Sequence, residues 1–181
     1  MTVRPTFIED LYVIEPRVFN DNRGFFYEFF NQELFEKTVK QNVHFVQDNL
    51  AKSAKGVLRG FHFQKEPYAQ TKLVSVLNGA VLDVVVDLRK NSKTFGRHFS
   101  IILSADNKKQ LFIPRGFAHA YLSLEDDSLF FYKIDNYYNP GSEAGIRFDD
   151  PDLNVDWQYD FSKIILSEKD RNLPYFKDLN F

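Results

Sequence analysis

Lys72-Leu73-Val74-Ser75-Val76-Leu77-Asn78-Gly79-Ala80-Val81-Leu82-Asp83-Val84-Val85-Val86 reads as two β-rich runs around a two-residue turn signal. Asn and Gly both tolerate positive φ, so Asn78-Gly79 predicts a type I′ hairpin. Such a turn pairs Leu77 with Ala80, Val76 with Val81, Val74 with Asp83 and Lys72 with Val85. Alternation then places Lys72, Val74, Val76, Val81, Asp83 and Val85 on one face, and Leu73, Leu77, Leu82, Val84 and Val86 on the other. Lys72 and Asp83 become diagonal neighbours, about 7 Å apart or less at Cβ. Opposite charges on a mostly apolar face predict a buried functional pocket; a plain surface pair is the alternative.

Outward from these two runs the same signals recur. Strands are expected at Gly24–Phe30, Val43–Asn49, Val57–Gln64, Lys72–Leu77, Val81–Leu88, Phe99–Leu103, Gln110–Ile113, Ala118–Leu122 and Leu129–Ile134. The best helix is Asn31–Lys40, with Asn31 as cap, Glu33 in the first turn and Leu34, Phe35 and Thr38 on one face. No linker, repeat or low-complexity tract interrupts the chain, so a single domain over residues 1–181 is expected. Many short strands and few helices read as a mostly β sandwich or jelly roll. Twenty Phe, nine Tyr and one Trp in 181 residues favour the same class.

The strand from Val57 to Gln64 carries a conflict. Strict alternation puts Arg59 and His62 on opposite faces, although both suit a site that binds an anion and moves a proton. Gly60 lies between them, and an in-strand glycine often marks a bulge that re-aims its neighbours. A bend at Gly60 is therefore expected; an outward-facing Arg59 is the plainer reading.

Several function classes fall away. A formal net charge of -2 gives bulk electrostatics no pull on nucleic acid. The absence of cysteine removes thiol nucleophiles, thiolate metal sites and disulfides. His44, His62, His98 and His119 stand singly, without the His-x-His spacing of a metal-binding barrel, so no metal is expected. There is no nucleophile elbow, P-loop or dinucleotide glycine pattern. The N-terminus lacks a signal-peptide run, and no stretch reaches about 18 apolar residues. A soluble cytoplasmic protein without membrane contact is expected. General acid–base chemistry remains: His62 is the side chain best poised near neutral pH, and a carboxylate on its other nitrogen would raise its basicity. Composition does not single out Asp170 from the other acids, and a core aromatic is the plainer reading of Tyr132.

Nine segments in register nevertheless resemble one family. They are Gln47-Asp48-Asn49, Gly56 to Gln64, Gln70 to Val74, Val86-Asp87-Leu88-Arg89, Phe95-Gly96, Ile113 to His119, Tyr132-Lys133, Tyr137-Tyr138 with Gly145 to Pro151, and Leu166 to Asp170. Together they are similar to the dTDP-4-dehydrorhamnose 3,5-epimerases. Phe61 stands where Leu is more usual, and Tyr68 where a small or His residue is common; neither removes a proposed catalytic group.

The resemblance implies a metal-free, cofactor-independent cupin-type jelly-roll barrel acting as a homodimer. The implied substrate is dTDP-4-dehydro-6-deoxy-D-glucose, inverted at C3 and C5. A relative that epimerises only one carbon, or acts on another nucleotide-linked 4-ketosugar, would keep the same acid–base residues; a ketoisomerase relative would move the carbonyl between C3 and C4. By resemblance His62 is the base, oriented by Asp170. Lys72 steadies the enolate oxygen, and Tyr132 returns a proton from the opposite face. Arg23, Arg59 and Lys169 suit the diphosphate. Glu28, Gln47 and Asn49 read the nucleotide or order the site, Phe26 and Tyr138 offer stacking surfaces, and His119 and Glu143 match further contact positions. The segment from Arg23 to Glu28 is implied to be exchanged between subunits.

Overall fold

Asn78-Gly79 proves to be a corner between two sheets and not a hairpin turn. A computed structural model describes residues 1–179. In chain order its elements are β1 (Thr2–Pro5), β2 (Tyr12–Glu15), β3 (Val18–Asp21), β4 (Gly24–Tyr27), α1 (Gln32–Val39), β5 (Gln47–Ser53), β6 (Leu58–Gln64) and β7 (Lys72–Asn78). There follow β8 (Ala80–Asp87), β9 (His98–Ser104), β10 (Gln110–Ile113), β11 (Phe117–Ser123), β12 (Ser128–Ile134), β13 (Glu143–Gly145) and α2 (Glu168–Arg171). One sheet has the order β1-β2-β10-β7-β12-β5, the other β13-β6-β11-β8-β9, and β3 pairs only with β4. The named strand pairs are antiparallel. This is the jelly roll the alternating pattern predicts.

β7 and β8 therefore sit in opposite sheets, and the expected pairing of Val74 with Asp83 and Lys72 with Val85 does not form. Val74 instead pairs with Leu111 and Tyr132, and Asp83 with Tyr121 and Ile101. The facing assignment nevertheless holds. Val74, Val76, Val81 and Val85 share one core with Leu103, Leu111 and Phe130, now across the space between the sheets. The other parity divides: Leu73 packs beneath α1 with Phe35, Val39 and Phe112, whereas Leu82, Val84 and Val86 pack against Ile146, Leu153 and Trp157. Gly79 has φ +73°, and a Cβ there would lie 2.5 Å from the Ser128 Oγ, so the corner requires glycine.

Three further expectations shift. The strand placed at Val43–Asn49 runs from Gln47 to Ser53, because Val43 is drawn into the apolar cluster under α1. On α1, Asn31 caps as expected, its side chain accepting from the Leu34 N–H. The buried stripe is Phe35 and Val39, while Leu34 is exposed. The strand expected at Gly24–Phe30 stops at Tyr27.

Candidate active site

The bulge at Gly60 forms. On β6 and β11, His62 pairs with His119 and Arg59 with Tyr121, so one residue fewer lies between the partners on β11 than on β6. Gly60 has φ +112°, and a Cβ there would meet the His119 carbonyl oxygen at 2.5 Å. The extra residue returns Arg59 to the face of His62, while Leu58 and Phe61 pack outward against the Trp157 cluster. Arg59 and His62 thus line one cavity of about 520 Å³.

Across that cavity stand residues of the opposite sheet. Lys72 opens β7, and Tyr132 lies on β12 between Asn49 and Val74. Lys72, Tyr132, His119, Lys169 and Asp170 all line the space. An adjoining recess of about 300 Å³ shares His62, Lys72 and Tyr132 and adds Gln47, Asn49, Tyr138 and Glu143. Most of the expected site therefore converges.

His62 Nε2 lies 2.6 Å from Asp170 Oδ1. Asp170 sits in the single turn of α2, where its own N–H is accepted by the Ser167 side chain at 3.1 Å. Burial pushes the Asp170 carboxyl up, but hydrogen bonds from His62 and Ser167 carry it below the usual range. An ionised carboxylate only accepts, so Nε2 carries the imidazole proton and Nδ1 is left basic.

His119 forms a second pair, with Nε2 donating to Asp83 Oδ2 at 2.9 Å. Burial lowers its pKa more than Asp83 raises it, which keeps the ring neutral at pH 7. The other Asp83 oxygen is buried with no hydrogen-bond partner among the described residues. Burial also lowers Lys72 to about 8, against the pull of Asp83 and Glu143. Lys72 and Asp83 thus face one another from opposite sheets and not as the diagonal neighbours of a hairpin. Burial raises the Tyr132 phenol, reinforced by Tyr121 and opposed by Arg59, so it stays protonated at neutral pH. No hydrogen bond engages its hydroxyl among the described residues. At the rim, Glu143 accepts from Tyr138 at 2.6 Å and pairs with Lys169 at 2.5 Å.

Arg23, Phe26 and Glu28 stand apart. Arg23 and Phe26 belong to the β3–β4 hairpin, where they line a separate surface recess. The Arg23 guanidinium pairs with Asp21 at 2.5 Å in solvent, Phe26 is 70% exposed, and Glu28 accepts from the Asn31 side chain at 3.1 Å. Tyr121 and Ser53 escaped the sequence reading. Tyr121 lies two residues beyond His119 on the same face, and Ser53 continues the inward parity of Gln47 and Asn49 once β5 is placed correctly. Among the described residues, no group of three or more His, Asp or Glu side chains is arranged to hold a metal.

This arrangement offers an imidazole on one wall and a phenol and a cation on the other. That suits abstraction of a proton beside a carbonyl and its return to the opposite face. Comparison with known proteins points the same way. The family model described as dTDP-4-dehydrorhamnose 3,5-epimerase matches residues 5–178. A protein of that name from Escherichia coli K12 is 54% identical over 173 residues, covering 96% of this chain and 93% of its own. A crystal structure of the enzyme of that name from Elizabethkingia anophelis superposes with TM-score 0.96 at 52% identity, over 100% of this chain and 99% of that one. A Legionella pneumophila 3,5-epimerase in complex with dTDP-4-keto-L-rhamnose gives TM-score 0.95 at 44% identity, over 99% and 94% of the two chains.

Proposed function

The chain belongs to the dTDP-4-dehydrorhamnose 3,5-epimerase family, and we propose that it inverts dTDP-4-dehydro-6-deoxy-D-glucose at C3 and C5 with its own side chains. The C4 ketone acidifies the C–H bonds on both flanking carbons, so one base and one acid serve both positions. His62 Nδ1 takes the proton, and Asp170 supports the imidazolium that results. Charge passes to the C4 oxygen, where protonated Lys72 stabilises it. The Tyr132 phenol returns a proton from the other face, which makes the net change inversion. No cofactor is needed, because the ketone is the only electron sink the steps use.

The observation that carries this reading is the opposition of His62, bound to Asp170 of α2, on one sheet to Tyr132 on the other, with Lys72 lining the same cavity. Arg59 and Lys169 are assigned to the diphosphate, with His119, Glu143, Gln47, Asn49 and Tyr138 as further contacts.

The β3–β4 hairpin supports a homodimer with shared sites. Phe19, Phe25 and Phe26 are each at least 50% exposed on it, and β5 presents an unpaired edge. In the dimer, Arg23, Phe26 and Glu28 reach the partner's cavity. We read residues 1–181 as one epimerase domain working in the cytoplasm. The family match over residues 5–178 supports the single domain; among the described residues no helix is long and apolar enough to cross a membrane.

The test is incubation with the dTDP-ketosugar in deuterated water, following C3 and C5 by NMR. Deuterium at both carbons with inverted configuration is expected. Deuterium at one carbon alone would identify a mono-epimerase, and no exchange at either would sink the epimerase reading for that substrate.

A further inference from the structure

Arg59 is held by neutral oxygens alone. Its Nε donates to Ser53 Oγ at 3.2 Å and its Nη2 to the Lys52 carbonyl at 3.3 Å. Among the described residues no carboxylate pairs with it, whereas Arg89, Arg115 and Arg147 each pair with an aspartate. Ser53 is 4% exposed and comes from the sheet opposite Arg59. Its hydroxyl shares a hydrogen bond with the Tyr121 hydroxyl at 3.1 Å. Tyr121 is itself fixed twice. It pairs with Arg59 across β11 and β6, and its ring stacks on Phe130 at 4.1 Å between centroids.

We propose that Ser53 and Tyr121 form a positioning shelf that aims the Arg59 guanidinium at the diphosphate while leaving its charge uncompensated. The inference rests on assigning Arg59 to that anion. A guanidinium has five N–H donors, and those engaged by Ser53, the Lys52 carbonyl and the neighbouring Tyr121 hydroxyl leave others for phosphate oxygens. A carboxylate in place of Ser53 would hold the side chain equally well, but it would cancel the field the ligand needs. A hydroxyl orients without neutralising. Tyr121 keeps the Ser53 lone pair on Nε by engaging the rest of its hydroxyl. Neither residue touches the sugar carbons in this role, so the consequence falls on binding and not on proton transfer.

The experiment compares dTDP and thymidine binding by calorimetry, together with steady-state kinetics, for R59A, S53A, S53T, Y121F and the R59A/S53A double variant. R59A should weaken dTDP strongly and leave thymidine unchanged. S53A should raise the dTDP Kd and the substrate KM about tenfold, as loss of a hydrogen bond to a charged group does, with kcat within about twofold. S53T should restore binding, Y121F should show a smaller loss than S53A, and S53A should add nothing in the R59A background. Full dTDP affinity in both S53A and Y121F, equal loss for thymidine, or additivity with R59A would overturn the shelf. Unchanged dTDP binding by R59A would instead overturn the diphosphate assignment on which it rests.

Discussion

Lys72→Met should make the protein more stable at neutral pH while abolishing epimerisation. Lys72 titrates near 8 in the folded chain against an ordinary 10.5, because burial outweighs the attraction of Asp83 and Glu143. The folded state thus binds the proton less tightly than the unfolded state. Stability contributed by this group is present above about pH 10.5 and is lost as pH falls through about 8. At pH 7 both states are protonated, and the full cost of holding the charge in the cavity wall is paid. The difference between 10.5 and about 8 corresponds to roughly 3 kcal/mol. Lys72 is only partly buried, and solvent in the cavity screens its charge, so about 1–3 kcal/mol is the range to expect. Loss of the Asp83 attraction is already contained in this figure, since that attraction helped set the folded pKa.

Urea unfolding of wild type and K72M at matched protein concentration, at pH 7 and pH 10, reads this directly. K72M should unfold at higher urea at pH 7, and the gap should shrink to under about 1 kcal/mol by pH 10, where folded Lys72 is neutral. Wild-type kcat/KM should fall above about pH 8 as the same proton is lost. A gap independent of pH, or a K72M protein less stable than wild type at pH 7, would refute the reasoning. Its success would mean that the enolate-binding charge is maintained at the expense of the fold.

Asp170→Asn should lower kcat roughly 10³- to 10⁴-fold with little change in KM, since an amide that donates to Nε2 reverses the imidazole tautomer; unchanged kcat would remove Asp170 from the mechanism. Tyr132→Phe should retain solvent-deuterium exchange at the ketosugar while inversion drops, and undiminished inversion by NMR would exclude the phenol as the returning acid. Gly60→Ala should destabilise the fold by more than about 3 kcal/mol in denaturant titration, because its Cβ collides with β11 at a positive φ. Mixing an H62A chain with an R23A/F26A chain should restore activity in mixed dimers if the β3–β4 hairpin serves the partner; no recovery would place the hairpin's function in its own subunit.

The walls of the candidate site were legible in the sequence to different depths. The bend at Gly60 could be derived, because two functional residues of opposite parity with a glycine between them have few other ways to share a cavity. The β5 strand was misplaced for the opposite reason. Its inward residues are Gln47, Asn49, Ala51 and Ser53, and a rule that sends apolar side chains inward fails where the interior is a polar site. Val43 and Phe45 carried the stronger apolar signal but belong under α1. Asp170 reaches His62 across 108 positions through a single helical turn, and local pattern contains nothing of that distance.

The corner at Asn78-Gly79 shows what alternation does and does not encode. Period two records which way each side chain faces, and Val74, Val76, Val81 and Val85 do face one core. It does not record whether two consecutive strands face that core side by side or from opposite walls. The discriminating sign was present in the outward parity. Leu82, Val84 and Val86 make β8 apolar on both faces, and β8 is buried along its whole length. A strand covered on both sides sits between the barrel interior and an outer layer, here the segment that runs through Ile146 to Trp157. β7 has Ser75 and a 43% exposed Leu77 at the matching outward positions, so it has a different cover. Two strands with different outer covers do not belong side by side in one small sheet. The same corner sets Lys72 in the wall opposite Asp83 and His62, on the strand next to that of Tyr132.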